Sequence, residues 1–266
     1  MPAERIGREE SQRGQVPKFQ LRMEIHSHTD YDPADWIEHS AEQLIDEVAR
    51  QGITVLAITC HRALQWSPEL KTYADAAGVL LIPAVEASIE GKDVLIYGLE
   101  RFDHPMSFDQ LRELRRQNPA ILTVAPHPFY PSSSCLGHKL FLYQDCFDAI
   151  EYCHFYTRWV NFNEKAVEAA HELNKPLVGT SDIHFLAQVG KTTSTVEVSE
   201  KSFAAVSAAI KAGQLELQTK PLSFRQLVFQ VVQMLWMNLK GSLLRARLLS
   251  RRTSGLHGNR ASRFKK

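Results

Sequence analysis

The stretch SAEQLIDEVARQGITVLAITCH, residues 40–61, holds one complete helix–strand unit and ends on a histidine. Ser40 fits a cap, Glu42 falls in the first turn, and Leu44, Ile45, Val48 and Ala49 share one face. A helix over 40–52 is therefore predicted, with Gly52 as its stop. The apolar run that follows at once has strand length and stops at His61. Four other strand-like segments end the same way: MEIHSH (23–28), LIPAVE (81–86), TVAPHP (123–128) and PLVGTSDIH (176–184). Each stops at or beside His, Glu or Asp. Strands set side by side in a barrel bring their C-terminal ends to one rim, so side chains spread over some 160 positions would meet in one pocket.

Working outward, the alternation continues. Helices are predicted near 68–77, 108–117, 161–173 and 201–212, and strands near 79–85, 94–97, 121–125, 149–152 and 177–179. Helical stretches of ten to fifteen residues between strands indicate crossover units and a parallel sheet. The fold class is α/β. Residues 1–20 read as a flexible leader, 21–220 as the barrel domain, and 221–266 as a basic amphipathic helix with a disordered tail. In that last segment Phe224, Leu227, Val228, Val231, Leu235 and Leu239 recur at helical spacing. Such a stripe suits packing on the body, or surface binding of lipid, nucleic acid or a partner.

The 266 residues are 44% hydrophobic and 23% charged, enough for one large core. No apolar run reaches membrane-spanning length, and the first twenty residues lack the apolar centre of a secretory signal. The four cysteines form no C-x-x-C pair, which favours free thiols and a cytoplasmic location. The net charge of +1 hides an asymmetry: residues 221–266 carry ten Lys or Arg and no Asp or Glu. A basic segment on an acidic body suits nucleic acid, an anionic membrane or a partner, or can fold onto its own body.

The strand-end residues carry the chemistry. His26 and His28 alternate with Ile25 and Ser27, so both imidazoles point to one side and can hold one divalent ion. His61 ends a strand; Glu86, a carboxylate at the end of an apolar run, is the candidate to bridge two cations. His127 lies between two prolines, and Asp182 and His184 repeat the alternate spacing. Mixed His and carboxylate ligation suits Zn, Mn or Fe. VGKTT does not make a phosphate loop, because the Gly required six residues before Lys191 is Phe185.

Taken in order, HSH, ITCH, VEAS, APHP and TSDIH followed by VGKTTS resemble the PHP superfamily, the polymerase and histidinol-phosphatase type of phosphoesterase, over residues 21–217. The resemblance implies a distorted TIM-like (β/α)7 barrel with two or three divalent metal ions at its C-terminal rim. His26, His28, Glu86 and Asp182 match a first metal site, Glu86 and His127 part of a second, and His61 with His184 part of a third. Two positions depart from the pattern. Cys60 replaces an acid in the usual T-D-H, and Pro33 stands where a third-site ligand is common, which leaves the adjacent Asp32 to serve. His154, and less so Asp93, lie where the second site could gain a ligand. The implied activity is metal-dependent hydrolysis of a phosphate monoester or terminal phosphodiester of a small metabolite or nucleotide. In that reaction His184 or His61 would protonate the leaving group, with Arg158, Arg62 or Lys191 gripping phosphate. The alternatives are a degenerate binding or regulatory module recruited by its basic tail, and a nuclease.

Overall fold

The computed structural model describes residues 18–103 and 106–258. Chain order gives strand β1 (Phe19–Glu24), helix α1 (Ala41–Arg50), β2 (Val55–Ile58), α2 (Pro68–Ala76), β3 (Leu80–Ile89) and β4 (Lys92–Tyr97). Then follow α3 (Phe108–Gln117), β5 (Leu122–Ala125), the short α4 (Lys139–Leu142), β6 (Ala149–Cys153), α5 (Asn163–Glu172) and β7 (Leu177–Thr180). Last come β8 (Thr192–Val198), α6 (Phe203–Lys211), β9 (Leu215–Thr219) and α7 (Phe224–Gly258). Ser40 caps α1 through a reciprocal pair: its hydroxyl accepts from Gln43 N at 3.3 Å, and Gln43 Oε1 accepts from Ser40 N at 2.9 Å.

Among the described residues nine strands form one sheet, in the order β7-β6-β5-β4-β3-β2-β1-β8-β9. The pairs β1–β2, β2–β3, β5–β6 and β6–β7 are parallel, as the helix–strand alternation predicts. The remainder is not. β4 lies antiparallel between β3 and β5, and β8 and β9 extend the sheet antiparallel beyond β1. Residues 192–198, for which no element is predicted, form β8 because TTSTVEV alternates: Val196 and Val198 are buried while Glu197 is exposed. Its buried Thr and Ser residues hide that pattern from a hydropathy reading.

The sheet curls into a nearly closed barrel, and Gly179 shows how. Its N–H donates to Ser194 Oγ at 2.7 Å, linking β7 to β8. A Cβ at this position would collide with Leu217 Cδ1 and lie 3.0 Å from Thr192 Cγ2. Period-two alternation divides the apolar residues between layers. Met23, Ile25, Val55, Ala57, Ile82 and Ala84 form one cluster with Val206 and Ile210 of α6. The intervening Leu56, Ile58 and Leu81 pack on α1 and α2, while Val94, Ile96 and Ile150 pack against α3 and α5.

Several boundaries move. β1 ends at Glu24, so His26 and His28 lie just beyond the strand, where Ser27 makes an isolated parallel bridge to Ile183. Phe19 and Gln20, read as leader, belong to β1; residues 1–17 lie outside the described residues. α7 continues to Gly258, into the stretch read as disordered, of which 259–266 also lie outside the described residues.

Candidate metal centre

Most ligand candidates sit just beyond the end of a strand. β1 delivers His26 and His28, β2 His61, β5 His127 and β7 Asp182 and His184, while Glu86 projects from within β3. His127 and Asp182 hold left-handed backbones, φ 27° and 46°, which residues with a Cβ seldom adopt. Their surroundings enforce this. His127 N donates to Glu151 Oε2 at 2.6 Å, and Ile183 N donates to His26 O at 3.1 Å, fixing the chain on either side of the rim.

Three triads of donor atoms converge, each with its atoms within 4.8 Å of one another: His26–His28–Asp182, His26–Glu86–His127 and His28–His61–Glu86. Glu86 belongs to two of them, the bridging position expected of it. The imidazoles are aimed by their other ring nitrogens. His26 Nδ1 lies 2.6 Å from Glu151 Oε1 and His28 Nδ1 2.8 Å from Asp32 Oδ2. His61 Nδ1 lies 2.9 Å from Asp32 Oδ2, and His184 Nδ1 3.1 Å from Asp182 O. In each of the first three, a proton on Nδ1 donates to the carboxylate and leaves Nε2 as a free lone pair. That orienting arrangement is the one metal-bound histidines use. The freed nitrogens meet at Glu86 Oε2: 3.3 Å from His26, 3.4 Å from His28 and 3.2 Å from His61.

Five buried side-chain polar atoms lack a hydrogen-bond partner among the described residues, and three of them are here: His28 Nε2, Glu86 Oε1 and Asp182 Oδ1. A buried orphan costs about 1–3 kcal/mol, more for a charged group. Three such atoms within these triads, each a lone-pair donor, fit divalent cations. The electrostatics agree. Burial opposes charge on His26, yet the carboxylates of Asp182, Glu151 and Glu86 outweigh it and raise its pKa well above the usual value. Burial likewise opposes charge on His61, but Glu86 and Asp32 raise it to about 9. Glu86 and Asp182 are held well below the ordinary carboxylate range by the surrounding histidines, against burial. The cluster demands positive charge, and its His and carboxylate donors suit Zn, Mn or Fe.

A cavity of about 360 Å³ opens onto these groups, lined by His61, Glu86, Asp93, His127, Asp182 and His184 with Tyr130, Phe155, Phe162 and Met234 among the wall residues. Among the described residues no Lys or Arg lines it.

The family model described as "PHP-associated" matches residues 160–215. A DNA polymerase III PolC-type from Streptococcus thermophilus is 35% identical over 89 residues, 33% of this chain and 6% of the polymerase. This chain thus spans a small fraction of such relatives. Among solved structures, a Bacteroides vulgatus two-domain protein containing a predicted PHP-like metal-dependent phosphoesterase superposes with TM-score 0.61 at 18% identity. The match covers 86% of this chain and 75% of that one. The lesion-specific endonuclease PfuEndoQ from Pyrococcus furiosus gives 0.54 at 15%, over 75% and 58%. These matches support the resemblance to the PHP superfamily, and the superposed structures share the fold.

Some expected residues are placed differently from the PHP pattern. Asp32 accepts through Oδ2 from the backbone N of His61 as well as facing His28 and His61, and through Oδ1 from Ala34 N and Asp35 N. The turn it makes presents Asp35, whose Oδ2 lies 3.2 Å from His184 Nε2 and 3.7 Å from His61 Nδ1. Asp32, Asp35 and His61 form a fourth candidate group. His154 joins none of these groups. Its Nε2 lies 3.2 Å from Gln230 Oε1 and from Gln188 Nε2, and burial pushes the imidazole down to about 4. Arg158, Arg62 and Lys191 are exposed and do not line the cavity. Cys60 is wholly buried in the cluster with Leu70 and Trp66, and burial pushes its thiol up to about 12. It packs as an apolar side chain, so this departure removes a carboxylate without adding a ligand.

Two acids escaped the sequence reading. Asp35 was visible only as the third acid of DYDPAD. Glu151 is completely buried inside β6, where it accepts from His127 N and Thr180 Oγ1 as well as facing His26. A charged residue inside the apolar run AIEYC was the available signal, since a buried charge demands partners.

Proposed function

We propose that the protein is a metal-dependent phosphoesterase that hydrolyses a phosphate monoester, or a terminal phosphodiester, of a small metabolite or nucleotide. The observation that carries this is the set of three converging donor triads, His26–His28–Asp182, His26–Glu86–His127 and His28–His61–Glu86, beside a cavity and holding the orphaned His28 Nε2, Glu86 Oε1 and Asp182 Oδ1. His26, His28, Glu86, His127 and Asp182, with His61, would hold two or three ions. Divalent cations there supply charge neutralisation for phosphoryl oxygens and lower the pKa of a water. The chain's own groups do the rest. Glu151 and Asp32 fix the tautomers of His26, His28 and His61. His184, steadied by Asp35 at the cavity wall, stands where it can pass a proton to a leaving oxygen, and His61 is the second candidate for that task.

Because the described wall residues include no Lys or Arg, a phosphate would find its main positive partners in bound cations, with His61 and His184 beside them. About 360 Å³ suits a small phosphorylated molecule, and Met234 of α7 borders the space where a polymer would have to pass. These features favour a small substrate over a nuclease reading. A cytoplasmic setting is supported by four unpaired, buried cysteines.

The test is metal analysis of the purified chain joined to hydrolysis of an aryl phosphate and a panel of phosphorylated metabolites. Activity should require Mn or Zn and disappear with a chelator. Asp182→Ala and His26→Ala should each abolish turnover with unchanged far-UV circular dichroism. Metal-loaded protein that cleaves nothing in the panel, or either variant retaining full activity, overturns the reading.

A further inference from the structure

Helix α7 is amphipathic in the reverse sense. Its body-facing side is polar: Gln230 is buried against His154, and Gln233 Oε1 is buried without a hydrogen-bond partner. Lys240 Nζ donates to Glu38 Oε1 at 2.6 Å, and Gly241 lies against Trp36. The apolar residues face solvent instead. Phe224 and Leu235 are 68% and 64% exposed, and Val228, Val232, Trp236 and Leu239 are exposed with them. At ~100° per residue these six fall in an arc of about 120°, one continuous stripe. The sequence reading allowed this stripe to close onto the body; only its flank, through Leu227 and Met237, is partly covered. A solvent-facing apolar stripe of this kind marks an interaction surface.

Charge identifies what covers it. Arg225, Arg245, Arg247, Arg251 and Arg252 lie in the same helix besides the Glu38-paired Lys240, and residues 221–266 contain no acid. A second copy meeting this face would set two strongly positive segments against each other. Nucleic acid would satisfy the charge and leave six large apolar side chains in water. An anionic bilayer surface satisfies both, taking the apolar stripe at the acyl boundary and the Lys and Arg among the headgroups. No helix among the described residues is long and apolar enough to cross a membrane, so such a helix lies on the surface. We infer that α7 docks this protein on the surface of an anionic phospholipid bilayer through its outward apolar face. Met234 of the same helix lines the cavity, so docking brings the cavity to about one helix diameter, ~10 Å, from the headgroups.

The experiment is vesicle co-sedimentation with the full chain. The probes are phosphatidylcholine vesicles with and without about 30% phosphatidylserine. The protein should sediment with the anionic vesicles and stay in solution with the neutral ones. Brominated lipid should quench tryptophan emission, and Trp236→Phe should lose that quenching. The double variant Leu235→Ser, Leu239→Ser should partition about ten-fold less or weaker still, with unchanged circular dichroism and unchanged metal content. Four results overturn the inference: no anionic-vesicle binding, equal binding to neutral vesicles, undiminished binding by the double variant, or a dimer that the double substitution dissolves. Capture of an oligonucleotide with the double variant binding as tightly as the parent, and no vesicle binding, assigns the basic charge to nucleic acid instead.

Discussion

Glu151 touches no candidate cation position yet controls one that does. Its two oxygens serve His26 Nδ1 and the backbone N of His127, both at 2.6 Å, so one carboxylate aims ligands from β1 and β5 at once. Glu151→Gln keeps the shape but can present an N–H to His26 Nδ1, favouring the wrong tautomer. Metal affinity should fall by about 10–100-fold, the usual cost of losing an orienting partner, with the fold intact. Isothermal titration with Zn or Mn measures this, and unchanged affinity would remove Glu151 from the site. This division explains what the sequence showed at this scale. Candidates such as His61 are legible because an apolar strand that stops on a metal-binding residue is unusual, and Glu86 because it closes the apolar run LIPAVE although β3 continues past it. Glu151 and Asp35 were not legible, because their role depends on which residue faces them across the barrel, and one strand does not contain that information.

Elements divide along the same line. α1 was readable because its caps and its apolar face are local, and its observed span Ala41–Arg50 falls within the predicted one. β8 and β9 were not, since β8 is buried through Thr192, Thr193 and Ser194, whose hydroxyls are satisfied only by distant partners such as Gly179 and Thr219. Strand direction was equally hidden: β4 carries a strand pattern that serves either orientation, and only its tight connection to β3 turns it antiparallel. The closure at β7 is itself testable. Gly179→Ala would place a methyl against Leu217 and Thr192 and should cost about 1–3 kcal/mol by overpacking. Urea unfolding measures that loss; a neutral result would mean that β9 yields freely and the barrel is not held shut there.

For the whole molecule, a centre built from five strands couples metal loading to stability. Ions bound at a hundred-fold excess over Kd contribute about 2.7 kcal/mol, and for a chain of this size Tm should rise by about 5–10 °C. Differential scanning fluorimetry with and without a chelator checks it. A Tm indifferent to Zn, Mn and Fe would mean that the strand ends are not tied together by cations. The placement of α7 belongs to this scale too. Its periodicity was plain in the sequence, but which side meets the barrel depends on Gln230 finding His154, 76 positions away.

The absence of Lys and Arg from the described cavity lining also predicts an order of events. Glu86, Asp93 and Asp182 draw cations in ahead of an anion, so ions are expected to enter first and phosphate second, with His61 the side chain that would hold phosphate if they do not. Product-inhibition kinetics should then show a compulsory sequence, with inorganic phosphate retained only by loaded protein. A phosphate that binds the stripped protein equally well would mean that some other cation receives it.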